Sequence, residues 1–407
     1  MSAETIPRLV CLNPWDQHIG PNRYLVELLR ASPALARQTT IVLPEEGEAA
    51  DEYRAIGCAV EIWDAARLVH INARPANLRR LFSAHTLGVW RAYHRLRTLR
   101  AQIVVTNSEN VWLGGIAARM LGVPHLQVFH ALTLEYNWGK RPWLVRTYLH
   151  WLSLWSHRLI AVSPAVAQML MRHHIAEEHI ALVPNALNVP AIVAASQCPV
   201  PPSVEALLRA HSPILISFGR ISRVKGHDLL IEAFTHVRAK FPNAGLLCAG
   251  ELLSDQGVDD TVSFYRHLQQ RLEDLNLTQS VHFLGELDNA LALLPRADVY
   301  IQPSRTESFC RAVAEAAILR VPVVAFKVGG IPDVLGEEGG VLVPPENPAA
   351  LSEAILRVLN DAALRAHIVQ SAHQRVTELY DVQHVAPRWV ELVTAQVHQK
   401  TCQVSET

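Results

Sequence analysis

No two cysteines in the chain are spaced as Cys-x-x-Cys. The six present (Cys11, Cys58, Cys198, Cys248, Cys310 and Cys402) are scattered over 407 residues. That excludes a zinc ribbon or a disulfide framework and matches the usage of a reducing cytoplasm. Neither sign of charge is in excess, with 37 Lys and Arg against 38 Asp and Glu and a net charge of −1. No global basic surface therefore recommends a nucleic-acid partner. Long apolar runs are missing too, none reaching the ~18 residues of a membrane-spanning helix. The Met-Ser-Ala-Glu start has neither the basic n-region nor the apolar h-region of a secretory signal. What the chain does have is length, enough for two or three domains with full cores. It reads as a cytoplasmic α/β protein.

Short apolar strands alternate with helical periodicity from the start, the pattern of a parallel sheet. In the first half, strands are predicted at Arg8–Leu12, Thr40–Leu43, Val60–Trp63, Ile103–Thr106, Pro124–Phe129, Arg158–Ser163 and Ala181–Pro184. The first ends in a loop through Gly20 and Pro21 that opens a helix. The fifth delivers His130 at its C-terminal end, where open α/β sheets bind ligands; His125, inside the strand, has no such position. Between Arg67 and Arg100 stand eight arginines and no Asp or Glu, interleaved with residues such as Phe82, Trp90 and Tyr93. One reading is a helix packed on the sheet with a solvated arginine face. The other is a basic-aromatic surface for anionic lipid or an anionic acceptor, hence a candidate for peripheral membrane contact. On the predicted helix Pro142–Trp155, the stripe of Leu144, Tyr148, Trp151 and Trp155 reads as core.

Pro190 to Pro213 holds five prolines and no strong period, and is read as the boundary between domains over residues 1–195 and 212–382. The rhythm restarts with a strand at Ile214–Phe218 and a corner, Gly219-Arg-Ile-Ser-Arg-Val-Lys-Gly-His-Asp228, leading into a helix. Arg220 offers a planar fork and Lys225 a point charge beside Gly219 and Gly226, a set that suits a diphosphate. Further strands are predicted at Gly245–Gly250, Val281–Gly285, Val299–Gln302, Val321–Phe326 and Gly340–Val343. After the third of these, Glu307 stands at the C-terminal end of a strand, just before a helix whose amides would attract phosphate. Glu315 follows with seven residues between. Were both helical they would lie ~12 Å apart along the axis, beyond the about 5–9.5 Å of glycosidase carboxylate pairs. Two carboxylates gripping hydroxyls at separate places on one ligand fit better, as on a sugar and a ribose flanking a diphosphate.

Glu-x7-Glu followed by Val-Gly-Gly-Ile-Pro-Asp, with the Gly-Arg-x4-Lys-Gly corner upstream, resembles the donor site of the retaining glycosyltransferase family 4. The resemblance covers most of residues 100–400, with its strong motifs between about 214 and 344. It implies the GT-B fold: two Rossmann-like, doubly wound parallel-sheet domains facing across a cleft, with the last helix, about 383–400, packing back on the first. It implies transfer of a sugar from a uridine or guanosine diphosphate donor to an acceptor hydroxyl on a sugar, a lipid-linked glycan or a small molecule. The catalytic group it implies is His130, Arg220, Lys225 and Glu307. Gly20, Gly219, Arg220, Lys225, Glu307, Ser308, Phe309, Cys310 and Glu315 would bind the donor, Glu307 through the sugar and Glu315 through the ribose. His130 would hydrogen-bond the donor sugar. No metal and no cofactor are implied, and no Asp-x-Asp motif is present. Three places depart from the pattern: Gly20 stands alone where a Gly-rich turn is usual, Ser308 and Cys310 replace glycines, and Asn185-Ala-Leu-Asn188 replaces Asn-Gly-Val-Asp. They keep open a second class, a catalytically silent GT-B-like protein that binds a nucleotide sugar or scaffolds an assembly. A third, a sugar-nucleotide epimerase or a phosphorylase, is weaker, since no pyridoxal lysine motif is found.

Overall fold

The computed structural model describes residues 6–17, 19–63, 78–132, 141–252 and 261–405, without side chains for 78–87 and 399–405. Its contacts divide the chain into two units, residues 1–187 with 382–407, and residues 188–381. The part of the arginine-rich region from Arg67 to Asn77 lies outside the described residues.

The first unit holds a seven-stranded parallel sheet. Its strands are β1 (Leu9–Leu12), β2 (Thr39–Leu43), β3 (Ala59–Ile62), β4 (Ile103–Thr106), β5 (His125–Phe129), β6 (Arg158–Ala161) and β7 (Ile180–Leu182), in the order β3-β2-β1-β4-β5-β6-β7. β1 and β4 are buried along their whole length and apolar but for Thr106, as strands covered on both faces are. A helix over Gly20–Arg30 buries Tyr24, Leu25, Leu28 and Leu29. The chain's last helix, Val382–Ser405, joins the same core with Val385, Ala386, Trp389 and Val393. Trp389 is fully buried, with its ring 6.5 Å from that of Tyr24.

The second unit holds a six-stranded parallel sheet of β8 (Ile214–Phe218), β9 (Gly245–Ala249), β10 (Val281–Gly285), β11 (Val299–Gln302), β12 (Val323–Phe326) and β13 (Val341–Val343), ordered β10-β9-β8-β11-β12-β13. The order reverses between β8 and β11, so the loops after these two strands meet at a topological switch point. In the first sheet the corresponding reversal lies between β1 and β4.

Two expectations change. The proline-rich stretch read as a linker folds into two helices of the second unit, Val189–Ser196 and Pro202–Ala210. Pro190 and Pro202 stand in the first turns of these helices, where a missing N–H costs nothing, and Pro201 is the N-cap of the second. Glu205 pairs with Arg296 at 2.8 Å and Asn289 donates to the Ala195 carbonyl at 2.6 Å, fastening these helices to their own unit. The helix Pro142–Leu154 is rotated from the predicted core stripe. Val145, Leu149 and Leu152 are buried, whereas Trp151 is exposed and Leu144, Tyr148 and Trp155 lie at the rim. The compact aliphatic side chains fit against the sheet, and the aromatics cover the edge of the contact.

Candidate functional site

β8 ends at Phe218 and the chain turns through Gly219 (φ +145°), exposed Arg220 and buried Ile221 into a short 3-10 turn, Arg223–Lys225. Gly226 follows in the left-handed region (φ +70°), and the helix His227–Lys240 begins. Here glycine is required twice over. A Cβ at position 226 would lie 2.0 Å from the Pro303 carbonyl oxygen, because the loop after β11 presses against this corner. The two loops are tied by the Arg305 amide donating to the Val224 carbonyl at 2.8 Å. The Arg305 guanidinium also grips both carboxylate oxygens of Asp228 at 3.0 and 2.8 Å.

That contact sets Lys225 against Glu307. Lys225 Nζ donates to Glu307 Oε1 at 2.6 Å. Burial alone would pull the Lys225 ammonium down; the Glu307 carboxylate outweighs it and holds the group above its ordinary range. The nearby Arg220 charge works in the opposite direction on the same ammonium, so both cations of the corner act at one place. Ser304 Oγ also donates to Glu307 Oε1 at 2.8 Å, and Gln302 Nε2 does so at 3.3 Å. Gln302 is itself aimed by Tyr300, whose hydroxyl donates to its Oε1 at 2.6 Å. All three bonds to the carboxylate end on one oxygen. The Glu307 main chain is clamped as well. Gly330 N–H donates to the Glu307 carbonyl at 2.9 Å, and a Cβ on Gly329 (φ +48°) would come within 1.7 Å of that carbonyl oxygen.

Cys310 caps the following helix, Arg311–Ile318, in a left-handed conformation with φ +74°. Burial, reinforced by the Glu307 charge, pushes its thiol well up, so it stays protonated. Glu315 lies on this helix, buried, with Arg311 Nε 3.8 Å from Oε1. Phe309 is buried edge-on against Tyr380 at 4.9 Å between centroids; its side chain belongs to the packing, which leaves only its backbone for a ligand. Sequence reasoning missed Tyr300, Gln302 and Ser304. The available signal was a glutamine inside the fully buried strand β11, a polar group that must have partners.

In the first unit, His130 follows β5. Burial pulls its imidazolium down to about 3, so the ring is neutral at pH 7. Its Nε2 lies 2.7 Å from Asn107 Oδ1, and the Asn107 amide is oriented by donating to the Pro21 carbonyl at 3.0 Å. A neutral ring facing a carbonyl-type oxygen must carry its proton on Nε2, which makes Nδ1 an acceptor. The His130 amide donates to buried Glu109 at 3.1 Å, and burial raises that carboxyl above the usual range. Gly20 is exposed at the start of its helix, where a Cβ would meet nothing within 4 Å; no local crowding demands a glycine. His125 is structural, held between Thr106 Oγ1 at 2.9 Å and Ser156 Oγ at 3.1 Å.

Among the described residues, no cluster of His, Cys, Asp and Glu could hold a metal ion, and no helix is long and apolar enough to cross a membrane.

The family described as glycosyl transferases group 1 matches residues 204–375, and glycosyltransferase family 4 matches residues 19–189. Among curated proteins, the chain is 28% identical over 243 residues to the GPI3 subunit of phosphatidylinositol N-acetylglucosaminyltransferase from Saccharomyces cerevisiae, covering 58% of this chain and 50% of that one. It is 33% identical over 187 residues to glycogen synthase from Mycobacterium tuberculosis, covering 45% and 42%. The chain thus spans half or less of the length of these relatives. Among solved structures, HepE of Anabaena in complex with UDP-glucose has a TM-score of 0.76 at 18% identity, over 95% of this chain and 99% of that one. Sucrose-phosphate synthase from Thermosynechococcus elongatus has a TM-score of 0.72 at 22% identity, over 94% and 97%. Two parallel sheets of this topology, two family matches that between them take in both halves, and these neighbours agree: the chain belongs to the family 4 glycosyltransferases of the GT-B fold.

Proposed function

We propose that the protein transfers a sugar, with retention at the anomeric carbon, from a nucleotide-diphosphate donor to an acceptor hydroxyl, without a metal ion. The observation that carries this is the Lys225–Glu307 pair at the β8/β11 switch point: a cation and a carboxylate side by side, the carboxylate bonded through one oxygen only by these contacts. Arg220 and Lys225 meet the diphosphate, and the charge that builds on it as the sugar leaves is the largest lever available. Glu307 orients sugar hydroxyls and Glu315 the ribose. His130, neutral and with Nδ1 as acceptor, takes a hydrogen bond from a substrate hydroxyl. The acceptor oxygen bonds to the anomeric carbon on the face the leaving group departs from. The bond to the diphosphate breaks with its electron pair, and the acceptor's proton goes to a donor phosphate oxygen. The UDP-glucose held by HepE favours a uridine donor.

A second reading, a silent nucleotide-sugar-binding protein, is motivated by Cys310, whose side chain departs from the glycine of the family pattern that the sequence resembles. Thermal melts with uridine and guanosine diphosphate sugars separate these readings from no binding at all, since a ligand at 100 times its Kd adds about 2.7 kcal/mol. Donor hydrolysis or transfer that falls by about 10²–10³ in kcat in Lys225→Ala supports the enzyme. Stabilisation by a donor with no turnover on any acceptor supports the silent protein, and no stabilisation by any nucleotide sugar removes both.

A further inference from the structure

Residues 65–176 hold fourteen Lys and Arg against two acids, Glu109 and Glu135, a net of +12 in a chain whose total is −1. The rest of the chain therefore carries −13. Glu109 is buried and contributes nothing to the surface. This charge is carried in part by three helices of the first unit. Leu113–Leu121 packs against Leu78–Thr98 on one side. On the other it meets Pro142–Leu154, with the Trp112 and Trp151 rings 6.2 Å apart and the Trp155 Cβ against Gly115.

The outward side of Pro142–Leu154 carries bulky apolar side chains, interrupted by exposed Thr147, where a solvated helix should be polar. Trp143, Trp151 and Leu154 recur at helical spacing on one side and are 65%, 39% and 65% exposed. Exposed Arg141 and Arg146 flank them. The next helix adds exposed Met120 beside Arg119, and the third adds Trp90, 60% exposed. A groove of about 610 Å³ between that helix and β3 is lined by Trp63, Trp90, Arg91, His94 and Arg95. One acid stands beside it among the described residues, Glu61, whose Oε2 accepts from Trp63 Nε1 at 2.7 Å and lies 4.0 Å from the Arg95 guanidinium. Bulky aromatics with a band of cations and almost no anions are what an interface of headgroups and acyl chains selects.

We propose that this helical face docks on an anionic lipid bilayer, with Trp143 and Leu154 entering the headgroup layer and the arginines meeting lipid phosphates. This surface is separate from the residues of the donor site. It is tested by co-sedimentation of the full chain with vesicles of phosphatidylcholine alone, and with about one third phosphatidylglycerol. Binding is expected to the anionic vesicles only, with release in 1 M salt, where the Debye length falls to about 3 Å. The pair R141E and R146E should weaken it about tenfold or more, and the pair W143S and L154S should do likewise. All four positions are exposed, so the melting temperature should hold. A measurement without disruptive variants is quenching of tryptophan emission by brominated acyl chains, diminished in W143F. Failure to bind anionic vesicles, equal binding to neutral ones, or full binding by both variant pairs overturns the proposal.

Discussion

Cys310 shows how one side chain records a compromise. It occupies the left-handed region (φ +74°), where a side chain costs of order 1–3 kcal/mol, beside the carboxylate that the site is built on. Replacing it by glycine removes the Cβ responsible for the strain, at the cost of a freer unfolded chain. Cys310→Gly is therefore expected to raise stability by about 1 kcal/mol, read as a higher melting temperature and denaturant midpoint. A lower midpoint would mean that Sγ packing outweighs the strain. Glu307 illustrates the opposite case. Its environment is assembled from Tyr300, Gln302, Ser304 and Lys225, and each partner is there to satisfy or orient it.

At the scale of elements, the decisive contact is between two loops. Gly226 lets the turn after β8 lie against Pro303. Gly226→Ala would place a methyl inside the van der Waals shell of that carbonyl while keeping φ at +70°. We expect a loss of about 2 kcal/mol or more together with weaker stabilisation by donor nucleotides, since Lys225 would move off Glu307. An unchanged melt and unchanged donor binding would show that the loops yield. The strands of both sheets were legible as apolar runs, and the Gly219–Asp228 corner and the helix Arg311–Ile318 that carries Glu315 were legible too, because these signals are local. The Tyr300–Gln302–Ser304 relay was not, since its target depends on the neighbouring strand and loop. Helices Val189–Ser196 and Pro202–Ala210 were hidden because prolines that open helices look the same in sequence as prolines that forbid them. The exposure of Trp151 was hidden because periodicity alone left two faces of Pro142–Leu154 equally apolar.

For the whole molecule, acid should be the sensitive direction. Burial holds His125 and His130 in the first unit down to about 3 and His227 in the second to about 4. In the unfolded chain each titrates near 6.5. Between these values the unfolded state binds protons that the folded state does not, so stability is full above pH 6.5 and falls as the pH drops. At pH 5 each such histidine costs about 2 kcal/mol. Melts at pH 7 and pH 5 should show a large loss, reduced in His125→Gln; equal midpoints would contradict the burial argument. The chain also returns on itself. Trp389 and its helix complete the core of the first unit only after the whole of the second has been made, and Val382 N–H bonds back to the Leu187 carbonyl at 2.9 Å. On the ribosome, then, the half that emerges first is the half that closes last. Residues 188–381, continuous in the chain, have every partner in hand earlier, while the opening 187 residues wait with a tryptophan-sized gap for the tail to arrive.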